Sequence, residues 1–528
     1  MSVLLGARAG GWRAGDWYAA RTRRASIILG GLALALALAY AIAIVASEGD
    51  PWLVLPLIAL VIVLGICAHP VAGVFLVFAT VILFEQFSIP FLSPITADTH
   101  IYENLSEYTP IPLRLSIVDL LLLLTLASWA ARRFRAQRAV FRMGAFGWAI
   151  ALYGAVFVIG MAIGALRGSW DPVAALAELR GPFYVCLCYF LAANLIRGRA
   201  QVAACVSIFV ALVGVKAVEG ILSYQQSLGV PYNVEAVTSH EDVVFFDAAI
   251  GLFLVAALVG VRTKLATALL FLLPLILITE LFTERRVAFV ALGTLALALM
   301  FLALAAMPRR GLVLGAVGAL LLGGYILAFG QDSGPLGEPI RAVRSVADPS
   351  AVSVRDQLST AWRDIEDRNI EYTMRQLPLT GVGLGQQYLF QEEPSKLWGF
   401  TYWRYTTHNA VLWLWLKAGP LGGFALWFLV ARVLIVGSNL FVGLRDPWLR
   451  WMATLPVLLV LVQLVFSSVE LGLTYSRTMI CLGTVLGLGA VVFELGRPAL
   501  ASAPAPSRGG PIVARGQARN LRPYARAR

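Results

Sequence analysis

Long apolar runs, separated by short polar links, fill most of this chain, and a single long polar stretch interrupts them. A membrane-spanning helix needs about 20 apolar residues, and about fourteen runs approach or reach that length. They lie at 26–46, 52–68, 70–88, 115–131, 143–165, 181–196, 201–226, 245–261, 264–282, 286–306, 311–330, 407–436, 451–468 and 475–495. The pattern predicts an all-α polytopic membrane protein of about 14 transmembrane helices, with one large non-cytoplasmic loop containing surface helices. It divides into a basic N-terminus (1–25), eleven spans (26–330), the loop (331–405), three spans (406–496) and a basic tail (497–528). The first run lacks a small-residue cleavage site and reads as a retained helix. The tail, rich in Ala, Pro, Arg and Gly, has a composition that predicts disorder.

Within the long loop, Val354, Leu358, Trp362 and Ile365 recur at helical spacing, and Ser353 with Asp356 suits a capping box. The spacing predicts a surface helix of about 20 residues with this apolar side against the membrane domain. It should stop near Leu377, because Pro378 disfavours helix at the residue before it.

Charge orients the spans. Arg8, Arg13, Arg21, Arg23 and Arg24 place the N-terminus in the cytoplasm, and alternation then puts the basic links 132–142, 197–199, 262–264, 309–310 and 445–450 inside, with the tail. The outer links are 47–51, about 89–114, 166–180, 227–244, a tight turn near 283–285, the long loop and 469–474. The loop's eight basic and ten acidic residues lack the one-sided charge of a phospholipid-binding tail.

Composition agrees. Hydrophobic residues make up 59% and charged residues 14% of the chain, and the mean hydropathy is +0.78. Soluble domains carry about 25% charged residues. The net charge of +12 gives no reason to invoke nucleic acid, because the basic residues sit in the links that topology requires. The five cysteines all lie in apolar runs without a CxxC pair, so neither a disulfide framework nor a zinc site follows.

Arginines on the outer face need a reason. Arg285 and Arg286 stand where one span ends and the next begins. Either they bind phosphate, to which the planar guanidinium fork is suited, or they form interfacial pairs with Glu280 and Glu284. Arg180, Arg375, Arg404 and Arg477 also face outward, and a structural salt bridge explains each taken alone. Of the four histidines, His69 sits in a cytoplasmic turn and His100 in a loop. His408 stands at the outer mouth of a span, where an imidazole can accept a proton from an attacking hydroxyl near neutral pH. His240, followed by Glu241 and Asp242, is a secondary candidate for substrate contact, not a zinc motif. Lys216 and Glu219 lie at helical spacing and can neutralise each other, and Asp119 suits a buried polar anchor. The glycines from Gly381 to Gly385 follow no strand and precede no Lys-Ser/Thr pair. They read as a turn packing the surface helix back on the membrane domain, not as a nucleotide loop. Trp398, Tyr402, Trp403 and Tyr405 form an aromatic cluster that suits a membrane interface or a sugar face.

These motifs resemble the O-antigen ligase / O-antigen polymerase superfamily of bacterial cell-envelope glycosyltransferases. His408-Asn409, nine further residues and then Gly419-x-x-Gly422 is similar to the family's histidine signature. Pro378-Leu379-Thr380-Gly381-Val382-Gly383-Leu384-Gly385 resembles its P-x-x-G-x-G-x-G segment in the large periplasmic loop. Residues 283–288 (Thr-Glu-Arg-Arg-Val-Ala) look like its arginine turn, with Arg286 best aligned. The likeness spans roughly 276–430. It departs from the family in having about two more spans than is usual for the ligases, and in carrying Glu284-Arg285-Arg286 where Ser-Arg-Gly is frequent.

The resemblance implies a GT-C-like architecture in the bacterial inner membrane, with both termini cytoplasmic. It implies an inverting transfer that needs no metal or cofactor, from a polyprenyl-diphosphate-linked glycan donor to a hydroxyl of a glycan, lipid or protein acceptor. His408 would be the base and Asn409 would position it or the acceptor. Arg285 and Arg286 would bind the diphosphate, with Arg375 or Arg404 closing from the loop. His240, Glu241 and Arg180 are secondary or acceptor-side candidates. The reading from a different class is a transporter or flippase of lipid-linked glycan, with Lys216 and Glu219 as coupling residues. Such proteins commonly show repeat symmetry and broken mid-membrane helices. Neither is evident, and transport has no need of so long a polar loop.

Overall fold

The computed structural model describes residues 54–88, 99–110, 112–136, 141–229, 236–345, 354–396 and 400–501, with isolated positions among 31–46 and 92–97 and at 348. Most of the 26–46 run, the 1–25 segment, Ser353 with its capping box, Trp398 and the tail beyond 501 lie outside the described residues. Two units divide the chain, 1–69 and 70–528. The described part of the first is dominated by one apolar helix, α1 (Val54–Ala68).

The second unit is helical, with no β-strand among the described residues. It opens with α2 (Pro70–Leu83), the single turn α3 (Leu105–Tyr108), α4 (Ile117–Arg135), α5 (Gly147–Leu166), α6 (Pro172–Leu195) and α7 (Gly198–Ser227). It continues with α8 (Asp242–Val259), α9 (Lys264–Thr283), α10 (Arg286–Ala306), α11 (Pro308–Phe329) and α12 (Glu338–Arg344). The loop helix α13 (Val354–Gln376) precedes α14 (Ala410–Gly443), α15 (Pro447–Ser467) and α16 (Ser476–Ala501). Among the described residues, ten helices are long and apolar enough to cross a membrane: α5 to α11 and α14 to α16. The apolar helices α1 and α2 are shorter, and α4 ends on Arg132, Arg133 and Arg135.

One boundary moves. Residues 172–180, expected in an outer loop, are the first turns of α6. Asp171 caps that helix through bonds from Val173 (2.8 Å) and Ala174 (3.1 Å), and Pro172 is preset for its first position.

Helices α8, α15 and α16 are almost wholly enclosed, whereas α11 buries none of its apolar window. Small residues set the closest packing, that of α16 on α6. A methyl group at Gly483 would meet the Val185 carbonyl at 2.5 Å, and one at Gly487 the Ala192 Cβ at 2.5 Å. Arg477, fully buried in α16, holds Glu241 (2.9 Å) and Asp242 (2.7 Å) and donates to the Val81 (2.9 Å) and Ile82 (3.2 Å) carbonyls. One guanidinium therefore joins the ends of α2 and α8 to α16, and the cost of burying it is offset by pairing. Lys216 is similarly held by Glu85 and Glu219.

The glycine segment is the second anchor. Val382 donates to Leu416 O (2.7 Å), Gly383 to Lys417 O (3.1 Å), Leu384 to Gly160 O (2.9 Å) and Gly385 to Glu178 (2.6 Å). Gly383 sits at φ +89°, and a Cβ there would lie 2.2 Å from the Gly164 nitrogen. Only glycine allows that approach. Across it, Gly419 at φ +65° breaks α14. Lys417 then reaches Glu178 at 2.8 Å and the Gln386 carbonyl at 2.6 Å. The expected packing turn is present, and it pins the end of the long loop to α5, α6 and α14.

Helix α13 stops just before Leu377, as the proline predicts, but only part of its expected face turns inward, with Trp362 and Ile365 half-buried. Val354 and Leu358 are exposed, and the buried positions are Glu366, Asn369, Ile370 and Thr373. Hydrogen bonding decides the orientation. Asn369 donates to Glu392 O (2.7 Å) and accepts from Gln391 N (2.7 Å), while Thr373 bonds to Leu389. Buried polar groups with complete partners outweigh two peripheral aliphatic side chains.

Candidate active site

The start of α14 fixes the histidine. Asn409 caps that helix by accepting from Leu412 N at 3.1 Å, which sets His408 in the residue just before it. The His408 backbone N–H donates to Glu366 of α13 at 2.8 Å, and its Nδ1 lies 3.2 Å from the same carboxylate. Glu366 is buried, and Trp362 packs edge-on to the imidazole at 5.2 Å. A buried carboxylate on Nδ1 selects the tautomer that carries its proton there and leaves Nε2 with a lone pair.

The arginines arrive through the α9–α10 turn. Glu284 adopts φ +51°, which reverses the chain between Thr283 and Arg286. Arg285 donates to His240 Nε2. Burial and the adjacent Arg285 charge push the His240 imidazole down to about 4, so it is neutral near pH 7 and accepts that bond. Arg286 faces Asp356 of α13 at 3.5 Å, and Arg363 of α13 pairs with Glu470 at 3.1 Å. Burial alone would raise the Glu470 carboxyl, but His240, Arg363, Arg285 and His408 around it hold it below the ordinary carboxylate range. Asp367, 3.5 Å from Asn409, is raised to about 6, chiefly by burial and against the Asn409 bond.

These groups enclose a cavity of about 380 Å³ whose charged lining is Arg285, Arg286 and Arg363 with Glu284, Asp356, Asp364, Asp367 and Glu470, and Asn409 also lines it. Its apolar wall comes from Val287 and Val290 of α10 and from Val465 at the end of α15. His408 borders this ensemble, held by Glu366 of α13 and followed by Asn409, which lines the cavity. The site is thus a polar chamber of three arginines and five carboxylates at one end of the helices, with an oriented imidazole beside it. Among the described residues, no three His, Cys, Asp or Glu side chains gather as metal ligands would.

Sequence reasoning placed His408, Asn409, Arg285, Arg286 and His240 here, and the structure brings these together. The other nominated residues stand elsewhere. Arg375 is exposed and pairs with Glu371 at 3.4 Å. Arg404 pairs with Glu393 and stacks on Trp403 at 4.8 Å. Neither lines the cavity. Arg180 is bound to Asp119 (2.5 Å) and Asn104 (2.9 Å), and Glu241 is consumed by Arg477. The alternative pairing of the turn arginines with Glu280 and Glu284 is not what forms. Arg363, Glu366 and Glu470 were missed. The first two lie at i and i+3 beside the apolar stripe of the loop helix, and both turn inward with its Trp362 end.

Residues 268–428 match the family model described as O-antigen ligase. No curated protein matches the chain. The matched segment holds Arg285, Arg286, Arg363, Glu366, His408 and Asn409, while His240 and Glu470 come from outside it. This multi-pass membrane chain thus carries, at residues 268–428, a segment that matches the O-antigen ligase family.

Proposed function

We propose that the protein is a membrane glycosyltransferase that moves a glycan from a polyprenyl-diphosphate carrier to an acceptor hydroxyl at the non-cytoplasmic face. The observation that carries this reading is an imidazole oriented by a buried carboxylate beside a chamber lined by three arginines, within the matched domain. In this reading the acceptor oxygen attacks the anomeric carbon and its proton passes to His408 Nε2. The bond from that carbon to the diphosphate oxygen breaks, and its electron pair leaves with the carrier. Arg285, Arg286 and Arg363 stabilise the charge that develops on the leaving group. The apolar wall of Val287, Val290 and Val465 suits the first isoprene units of the carrier.

Glu366 acts through His408 as a positioning residue. It holds the ring and stabilises the imidazolium formed during transfer, as the buried acid of a catalytic triad does. Lys216 is satisfied by carboxylates on two sides, which supports a structural role over ion coupling and weakens the transporter reading.

The test is transfer from a purified lipid-linked oligosaccharide by the full chain. His408→Ala should reduce the rate by about 10²- to 10⁴-fold, the usual worth of a positioned general base, without a change in thermal unfolding. Retention of wild-type turnover would remove His408 from the mechanism. Glu366→Gln keeps an acceptor oxygen near Nδ1 and should retain more activity than Glu366→Ala.

A further inference from the structure

At the end of the bundle opposite His408 lie the links α8–α9, α10–α11 and α14–α15, because α8, α10 and α14 all start at the candidate site. Two of these links bring Arg309, Arg310, Arg445 and Arg450 around one cavity of about 510 Å³, with Val259 and Met307 in its wall. No carboxylate lines it among the described residues. The one acid in the α14–α15 link, Asp446, is already committed to Arg199 and to the backbone of Trp448 (2.9 Å) and Leu449 (3.1 Å), where it caps α15.

The arginines are poorly compensated. Arg310 donates through one nitrogen to the Leu258 (3.1 Å) and Val259 (3.2 Å) carbonyls at the end of α8. Arg450 stacks over Phe441 at 5.4 Å and reaches only Met307 Sδ (3.6 Å) and Val442 O (3.4 Å), and its buried Nε has no acceptor among the described residues. Arg310 and Arg450 are close enough to act on each other as like charges. Basic links at this end are what membrane orientation requires, but that rule asks only for solvated cations spread along the links. It does not gather four guanidinium groups around one cavity and turn the local carboxylate away.

We propose that this cavity binds the phosphate of an anionic phospholipid headgroup. Basic pockets between helices at the cytoplasmic face recognise such headgroups, and guanidinium forks match phosphate oxygens. The occupant would tie the α10–α11 link to the α14–α15 link. That tie gives α11, which buries none of its own apolar window, an attachment to the α14–α15 link beyond its contact with α10 and the Arg310 bonds to α8. The site is separate from the proposed transfer chemistry and stands whether or not that reading holds.

The test is native mass spectrometry of the full chain purified in detergent and mixed with phosphatidylglycerol or phosphatidylcholine. The wild type should retain phosphatidylglycerol over phosphatidylcholine. Arg310→Gln with Arg450→Gln should weaken that retention about 30-fold, at about fivefold for each arginine near a charged surface. Arg132→Gln with Arg133→Gln, the same charge loss at the end of α4, should leave it within twofold. Equal retention of the two lipids, or equal loss in both double variants, overturns the proposal. Should the first double variant fail to fold, Arg309→Gln and Arg445→Gln, both at exposed positions, should each weaken retention about fivefold, and no change in either overturns the proposal. Inorganic phosphate is the final arm. Retention that survives millimolar phosphate assigns the site to lipid, and displacement of lipid by phosphate alone overturns the lipid assignment.

Discussion

The glycine anchor and the arginine chamber lie at the same end of the helices, both draw on the matched segment, and both are built around buried charge. They differ in what is left over. At the anchor, Lys417 and Glu178 neutralise each other, and four successive backbone N–H groups from Val382 to Gly385 find acceptors. At the chamber, three arginines and five carboxylates face a cavity of about 380 Å³, with His240 and His408 beside it. A closed ledger of donors and charges holds a backbone in place. A chamber whose arginines face open volume can exchange a carboxylate partner for a phosphate.

Breaking the anchor should cost stability first. Lys417→Ala leaves Glu178 buried without a counter-charge, and such losses typically destabilise by about 3–5 kcal/mol. Replacing both members, with Lys417→Met and Glu178→Leu, should recover only part of that loss, because the charge imbalance is removed but the Gly385 N–H and Trp413 Nε1 lose their acceptor. Thermal unfolding of the purified full chain is the measurement. A single variant as stable as the wild type would remove the anchor's claim to be structural.

The chamber should respond in activity instead. Arg363→Gln removes one charge-assisted contact to the leaving group, worth about 1.5–3 kcal/mol, or roughly a 10- to 150-fold fall in transfer. Arg375→Gln, equally cationic and on the same helix, should stay within twofold, since its side chain points to solvent. Equal losses from the two would mean that the loop's overall charge matters and the cavity does not.

The two regions were unequally legible in the sequence. The glycine pattern is local, so its spacing announced a tight turn before any tertiary contact was known. His408 and Asn409 were visible because a helix start stands where polar sequence meets an apolar run. Arg363, Glu366 and Glu470 were not, because their role depends on which face of α13 turns inward. An amphipathic stripe predicts an apolar face, and the inward side of α13 is wider than that stripe and carries buried and half-buried polar groups as well. Glu470 needed a long-range meeting with α13 that no spacing encodes. Spans were legible as runs, but α6 began nine residues early because a capping Asp-Pro pair was read as loop.

The smallest effect separates two titrations within the chamber. Asp367 is raised from 3.8 to about 6 by burial, opposed by Asn409 and reinforced by Glu366, Asp364 and Glu371. Its folded form binds the proton more tightly than the unfolded chain, so its contribution to stability is complete below pH 4 and is lost as pH rises through 6. His240 is lowered from 6.5 to about 4 by burial and by Arg285, Arg363 and His408, against Glu470. Here the unfolded chain binds the proton more tightly, so its contribution is present above 6.5 and fades as pH falls toward 4. Glu470, held below its ordinary range, shares the sign of His240. Between pH 4 and 6.5 the two residues therefore oppose each other and partly cancel in the wild type. Asp367→Asn should steepen the fall in unfolding temperature on acidification across that window, and His240→Gln should flatten it. The anchor variants should leave that window's slope unchanged. If Asp367→Asn and His240→Gln shift the slope in the same direction, the chamber does not hold these groups in opposed states, and its cations are balanced in some other way.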